Sequence, residues 1–174
     1  MPIFLPPTIA GEAAWVISFS QTLDGTPQPG VENFSFRTVV PAASISTSGN
    51  TIRITLGGDG TNTAQFTNVS IVERSGSTEN GTTTPTELKF SGASGVTISG
   101  GVEATSDQLS FSIDETKDYL IICDVHSTNG YTDRKESGGP TYYKAATDSW
   151  NVQSPAGFSS IAVSWNVTKI EVLV

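Results

Sequence analysis

Apolar and polar residues alternate with a period of two over much of this chain. That spacing marks a strand with one buried face, because successive side chains leave a pleated backbone on opposite sides. Residues 14–19 make a first strand that puts Trp15, Ile17 and Phe19 on one face. Residues 34–40 alternate from Phe34 to Val40. Residues 52–56 alternate more cleanly, with Arg53 and Thr55 opposite Ile52, Ile54 and Leu56. Residues 66–73, 87–90, 96–98 and 109–113 read as further strands, and 159–165 and 168–174 close the chain. Residues 118–125 are almost continuously apolar, which predicts a central strand buried on both faces.

Turn residues punctuate these runs: Asp24-Gly25, residues 27–30, the Gly-Gly-Asp-Gly-Thr-Asn string at 57–62, and a Gly/Ser/Thr loop at 75–85. No window of helical length carries a 3.6-residue apolar period. Many short strands at even spacing predict an all-β fold, an antiparallel β-sandwich or jelly roll. The expected organisation is an extended apolar arm at 1–11 and one sandwich domain at 12–174, a length that buries a core without metals or disulfides. The chain starts at Met1 and ends on a strand, so the sandwich is expected to be the whole protein.

Charge narrows the function classes. Charged residues are 15% of the 174, against about a quarter in ordinary soluble domains. The net charge is −8, which disfavours nucleic-acid binding and docking on anionic membranes, since both need clustered Lys and Arg. No apolar run approaches the roughly 18 residues of a membrane span. The N-terminus has neither the basic region nor the apolar core of a signal peptide. Four Asn-x-Ser/Thr sequons, at Asn33, Asn68, Asn80 and Asn166, read more simply as turns and strand ends than as glycan sites.

Catalytic constellations are scarce. Cys123 is the only cysteine and His126 the only histidine, and no Gly-x-Ser-x-Gly string occurs. His126 reads as a strand-end residue satisfied by backbone. Asp124, Asp133, Glu136 and Asp148 are acids that sequence cannot pair across a cleft. The loop around Asp59 could coordinate calcium, but a hairpin turn explains it equally well. No enzyme activity, cofactor or metal is expected.

One polar segment, residues 126–150, concentrates aromatics and cations. Tyr131, Tyr142, Tyr143 and Trp150 supply ring faces for sugar C–H surfaces, while Asp133 and Arg134 supply polar partners for hydroxyls, so these six are the candidate carbohydrate-binding residues. In the alternative, Tyr142 and Tyr143 start a strand with one ring inward, and Trp150 is core. Trp15 and Trp165 are expected in the core. Ile3, Phe4, Leu5 and Ile9, interleaved with prolines, are the candidate partner-docking residues. The arm either covers a sheet edge of its own domain or inserts into a partner subunit, and the second is favoured because the strand pattern begins after it.

Several strings run in a familiar order: Phe34-Ser-Phe-Arg-Thr-Val-Val40, Gly49-Asn-Thr-Ile-Arg-Ile-Thr-Leu56, Asn68-Val-Ser-Ile-Val72, Leu88-Lys-Phe-Ser-Gly92, Val96-Thr-Ile-Ser-Gly-Gly101, Ala104-Thr-Ser-Asp107 and the strand at 120–125. In order and spacing the stretch 15–150 resembles the non-catalytic β-sandwich domain that precedes the catalytic domain of some bacterial two-domain SGNH hydrolases. The catalytic blocks of those enzymes have no counterpart here, so no catalytic residue carries over. The resemblance implies a jelly-roll-like accessory module, bacterial or from a bacterial virus, associated with surface polysaccharide.

The expectation is therefore a non-enzymatic surface or adhesion protein of a virion or phage-like particle: a head or tail decoration, spike or fibre component. Its expected partners are bacterial surface polysaccharide and other particle subunits, in an oligomer or assembly. Its expected place is the particle surface, after synthesis in the bacterial cytoplasm. The alternative is a stand-alone carbohydrate-binding module accessory to a polysaccharide-active hydrolase.

Overall fold

The computed structural model describes residues 13–58, 60–130, 134–135, 139–146 and 148–174, with 129–130 and 134–135 as backbone alone. The fold is an antiparallel β-sandwich. One sheet contains β1 (Trp15–Ser20), β3 (Gly49–Gly57), β7 (Glu103–Thr105), β8 (Leu109–Ile113) and β14 (Val167–Leu173). Its strand order is β1-β14-β3-β7, and β8 also pairs with β3. The second sheet contains β2 (Ser35–Val40), β4 (Ala64–Glu73), β5 (Thr86–Leu88), β6 (Val96–Ile98), β9 (Tyr119–Gly130), β11 (Thr141–Lys144) and β12 (Ser159–Ile161). Its order is β12-β11-β2-β9-β4-β5, and β6 also pairs with β4. A two-stranded ribbon joins β10 (Arg134–Lys135) to β13 (Ser164–Trp165).

The alternating positions account for the core between the sheets. Ile52, Ile54 and Leu56 of β3 and Ile170 and Val172 of β14 pack towards Phe36, Phe66, Val69, Ile71, Ile121 and Val125 of the second sheet. The apolar run at 118–125 is a central strand as expected, with residues 119–125 all buried. Its odd positions enter the main core. Leu120 and Ile122 face outward into a second apolar cluster with Val39 and Val72.

Several expectations need correction. Trp15, Ile17 and Phe19 do not share a face, because a register shift between Ile17 and Phe19 interrupts the pairing of β1 with β14. A bulge of this kind resets the alternation. Phe19 is buried, whereas Ile17 is 51% exposed. Trp15 is half-buried outside the core, with the Arg53 guanidinium 4.5 Å from its ring centre. The Gly-rich string at 57–62 is not a hairpin turn, because β3 and β4 belong to different sheets and the chain crosses between layers there. Asp59 lies outside the described residues. The strand at 118–125 continues to Gly130, so His126 sits within β9 rather than at its end. The period-two reading of residues 34–40 implied one solvated face, but all of β2 is buried.

Left-handed backbone occurs at Asn33 (φ 59°) and Asn166 (φ 59°), two of the four sequon asparagines. Asparagine tolerates this region better than most residues. Asn166 is 2% exposed and turns the chain from β13 into β14.

Candidate functional site

Both faces of the centre of the second sheet, at β2, β4 and β9, are covered, one by the first sheet and the other by the chain itself. The residues after β11 fold back across the outward face. Ser149 and Trp150 lie over it, and three side chains projecting from the sheet hold their backbone. Ser70 Oγ donates to the Trp150 carbonyl, and Asp124 Oδ2 accepts from the Trp150 N–H at 3.3 Å. Arg37 donates to the carbonyls of Ser149 (2.8 Å), Val152 and Glu79 (3.0 Å).

Arg37 and Asp124 are both fully buried. Burial pushes the Arg37 guanidinium down to about 10, against the opposing pull of Asp124 and Glu79, so it stays charged at neutral pH. Burial also raises the Asp124 carboxyl above the usual carboxylate range, opposed by the Ser35 hydroxyl and the Trp150 and Ser149 N–H groups. The two opposite charges attract under one strap of chain without a direct ion pair between them. An isolated buried ion would cost far more. Ser35 and Arg37 of β2 thus face a buried surface that the strap creates.

The open site lies elsewhere, at the start of β2. A cleft of about 250 Å³ is walled by Phe34, Phe36, Tyr143 and Trp165, with Val31 and Ile161 at its sides. The rings form a ladder. Phe36 stacks on Trp165 with centroids 4.7 Å apart, and Phe34 lies 6.1 Å from Phe36 and 6.4 Å from Tyr143. Such separations fit offset-stacked aromatic pairs. Residues 28–31 form one lip, and Gly30 takes a left-handed φ of 74° there. β12, an edge strand whose residues are all exposed, forms the other lip through Ile161. The Trp165 Nε1 is enclosed and has no hydrogen-bond partner among the described residues.

The candidate carbohydrate-binding residues fall in three places. Tyr142 and Tyr143 are neighbours in β11 and therefore point to opposite faces, which is the alternative arrangement with one ring inward. Tyr143 joins the cleft. Tyr142 packs with Trp150 against the second apolar cluster, where its hydroxyl donates to the Ser77 carbonyl (3.0 Å) and accepts from Arg74 Nη2 (2.7 Å). Arg134 lies directly across the ribbon from Trp165, and only its backbone is described. Tyr131 and Asp133 lie outside the described residues, as do Ile3, Phe4, Leu5, Ile9 and Glu136.

Sequence reasoning missed Phe34, Phe36 and Trp165 as site residues. They stand in apolar patterns that signal core, and Trp165 is indeed 5% exposed. The one available signal was Phe34, which precedes its strand and follows a turn.

Two further reactive groups lie outside the cleft. His126 Nδ1 accepts the Thr128 N–H at 3.2 Å and lies 2.9 Å from its hydroxyl. Cys123 is buried, and desolvation pushes its thiol far up, so it carries no thiolate at neutral pH. Among the described residues, no group of three or more His, Cys, Asp or Glu is placed to hold a metal. Among the described residues, no helix is long and apolar enough to cross a membrane. No protein-family model matches the chain, and no curated protein matches it either.

Proposed function

We propose that this protein is a non-enzymatic glycan-recognition module, a surface or adhesion component of a virion or phage-like particle that engages bacterial surface polysaccharide. The aromatic cleft carries the reading. The half-buried rings of Phe34 and Tyr143 present apolar surface over a floor made by the buried Phe36 and Trp165, and one side is open. Sugar rings have an apolar C–H face that packs on such surfaces, and loops and edges of a rigid scaffold are the usual place for the site. A net charge of −8 supports a partner other than nucleic acid. The non-catalytic character of the domain that the sequence resembles agrees with this reading. The apolar, proline-rich residues 2–9 support attachment to a larger assembly.

The test is retention of the full chain on immobilised bacterial surface polysaccharides, compared with Phe34→Ala. Phe34 is half-buried at the rim, so its loss opens the wall without removing a central core residue. Retention on at least one polysaccharide that drops roughly tenfold or more in the variant is the expected result. Equal retention of both proteins would remove the cleft from the function.

A further inference from the structure

On the reading that the cleft takes a saccharide, we infer that it selects an uncharged sugar bearing a methyl group, on a deoxy or acetylated ring. A fully hydroxylated hexose or a uronic acid is discriminated against. The argument is hydrogen-bond accounting. A hexose carries several hydroxyls, and each one that leaves water needs a partner or forfeits its hydration. The described side chains of the walls offer few partners. Phe34, Phe36, Val31, Pro29 and Ile161 present only hydrocarbon from their side chains. Gln28 is already engaged, donating to the Pro29 carbonyl at 3.4 Å. The Trp165 N–H is enclosed. That leaves the Tyr143 hydroxyl, which has no hydrogen bond among the described residues, as the main side-chain handle.

A methyl group in the same space loses nothing by leaving water and gains the burial of its surface against the rings. Among the described lining side chains none is charged, so a carboxylate gains no counter-ion from them, in a chain of net charge −8. One donor-acceptor handle on an apolar wall fits one hydroxyl or one acetyl carbonyl, with the methyl directed at the rings.

The experiment is a parallel calorimetric titration of the full chain with the free sugars rhamnose, N-acetylglucosamine, glucose and glucuronic acid, of which only the first two carry a methyl group. The first two are expected to bind at least roughly tenfold more tightly than the last two, the factor expected from one buried hydroxyl left unpaired. Tyr143→Phe should weaken all binding and keep the order. Ile161→Ser, a substitution at an exposed edge position, should erode the preference and leave the melting temperature unchanged. Glucose or glucuronate binding as tightly as the methyl-bearing sugars would overturn the selectivity and leave glycan recognition standing. An intact preference in folded Ile161→Ser would also overturn it. Absence of binding to every saccharide would overturn both.

Discussion

Trp165 lies nearly parallel to Phe36, with ring centroids 4.7 Å apart and planes 18° from one another, and the pair joins the β10–β13 ribbon to the second sheet. The Thr38 hydroxyl, one turn of the pleat further along β2, donates to the Trp165 carbonyl at 3.2 Å and fixes the strand behind the ring. The rings both close the core and floor the cleft. Phe36→Ala is expected to cost about 3 kcal/mol, the low end for a buried aromatic, because water can enter the vacated space from the cleft. A double-mutant cycle with Trp165→Ala in denaturant unfolding should return a coupling of about 0.5–1.5 kcal/mol. Strict additivity would show that the rings pack independently.

The outer face of the first sheet carries a different pair. Arg53 Nε and Nη2 donate to Glu171 Oε2 and Oε1 at 2.8 and 2.9 Å, with Trp15 against the guanidinium. The hydrogen bond from Arg53 holds the Glu171 carboxyl below the usual carboxylate range, against a smaller opposing effect of burial. A depressed folded-state value contributes stability above the unfolded-state value, and that contribution is lost as pH falls through the folded value. Glu171→Gln should therefore be less stable than wild type at neutral pH, by no more than about 1 kcal/mol because Arg53 is a third exposed. The gap should close in acid. A gap independent of pH in denaturant unfolding would assign the loss to packing.

The sandwich was legible because its core strands obey local rules. Ile52, Ile54 and Leu56 alternate, and the run at 120–125 is apolar on both sides. What could not be read depends on contacts distant in sequence. Arg37 looks like the solvated residue of an alternating strand until Ser149 and Val152 arrive over it from more than a hundred positions away. The bulge between Ile17 and Phe19 is set by pairing with β14, not by its own residues. The cleft combines residues 28–31, Phe34, Phe36, Tyr143, Ile161 and Trp165, which no single window contains. The concentration of aromatics at 126–150 pointed to Tyr143. The alternative reading, a strand through Tyr142 and Tyr143 with one ring inward, already separated the two tyrosines, but it could not show which of them joins the cleft.

The apolar arm gives a prediction independent of the cleft. Ile3, Phe4, Leu5 and Ile9 combine apolar surface with prolines that lower the entropy lost on docking. Deleting residues 2–10 is expected to leave the melting temperature of the isolated domain nearly unchanged and to abolish its assembly into an oligomer or particle. Both are read by calorimetry and light scattering. A large fall in melting temperature would place the arm on its own sandwich instead.

The strap over the second sheet predicts an unusual response to pH. Asp124 has the opposite sign from Glu171. Its folded-state value is raised, chiefly by burial, so the folded protein binds the proton more tightly than the unfolded chain. The stability it withholds at neutral pH is recovered as pH falls from the raised folded value to the ordinary carboxylate value. Arg37 supplies the compensating charge and three of the bonds to loop carbonyls. Arg37→Met should cost about 3–5 kcal/mol at neutral pH, since it strands a buried carboxylate. The deficit should shrink on mild acidification, when Asp124 takes up a proton. Arg37→Met combined with Asp124→Asn should recover part of the stability and lose the pH dependence. Amide hydrogen exchange at residues 149–153 reports the strap directly, and faster exchange in Arg37→Met that slows again in acid is the expected signature. If exchange there stays at the wild-type rate in the single variant, Arg37 does not hold the strap, and the Ser70 and Asp124 bonds to Trp150 suffice.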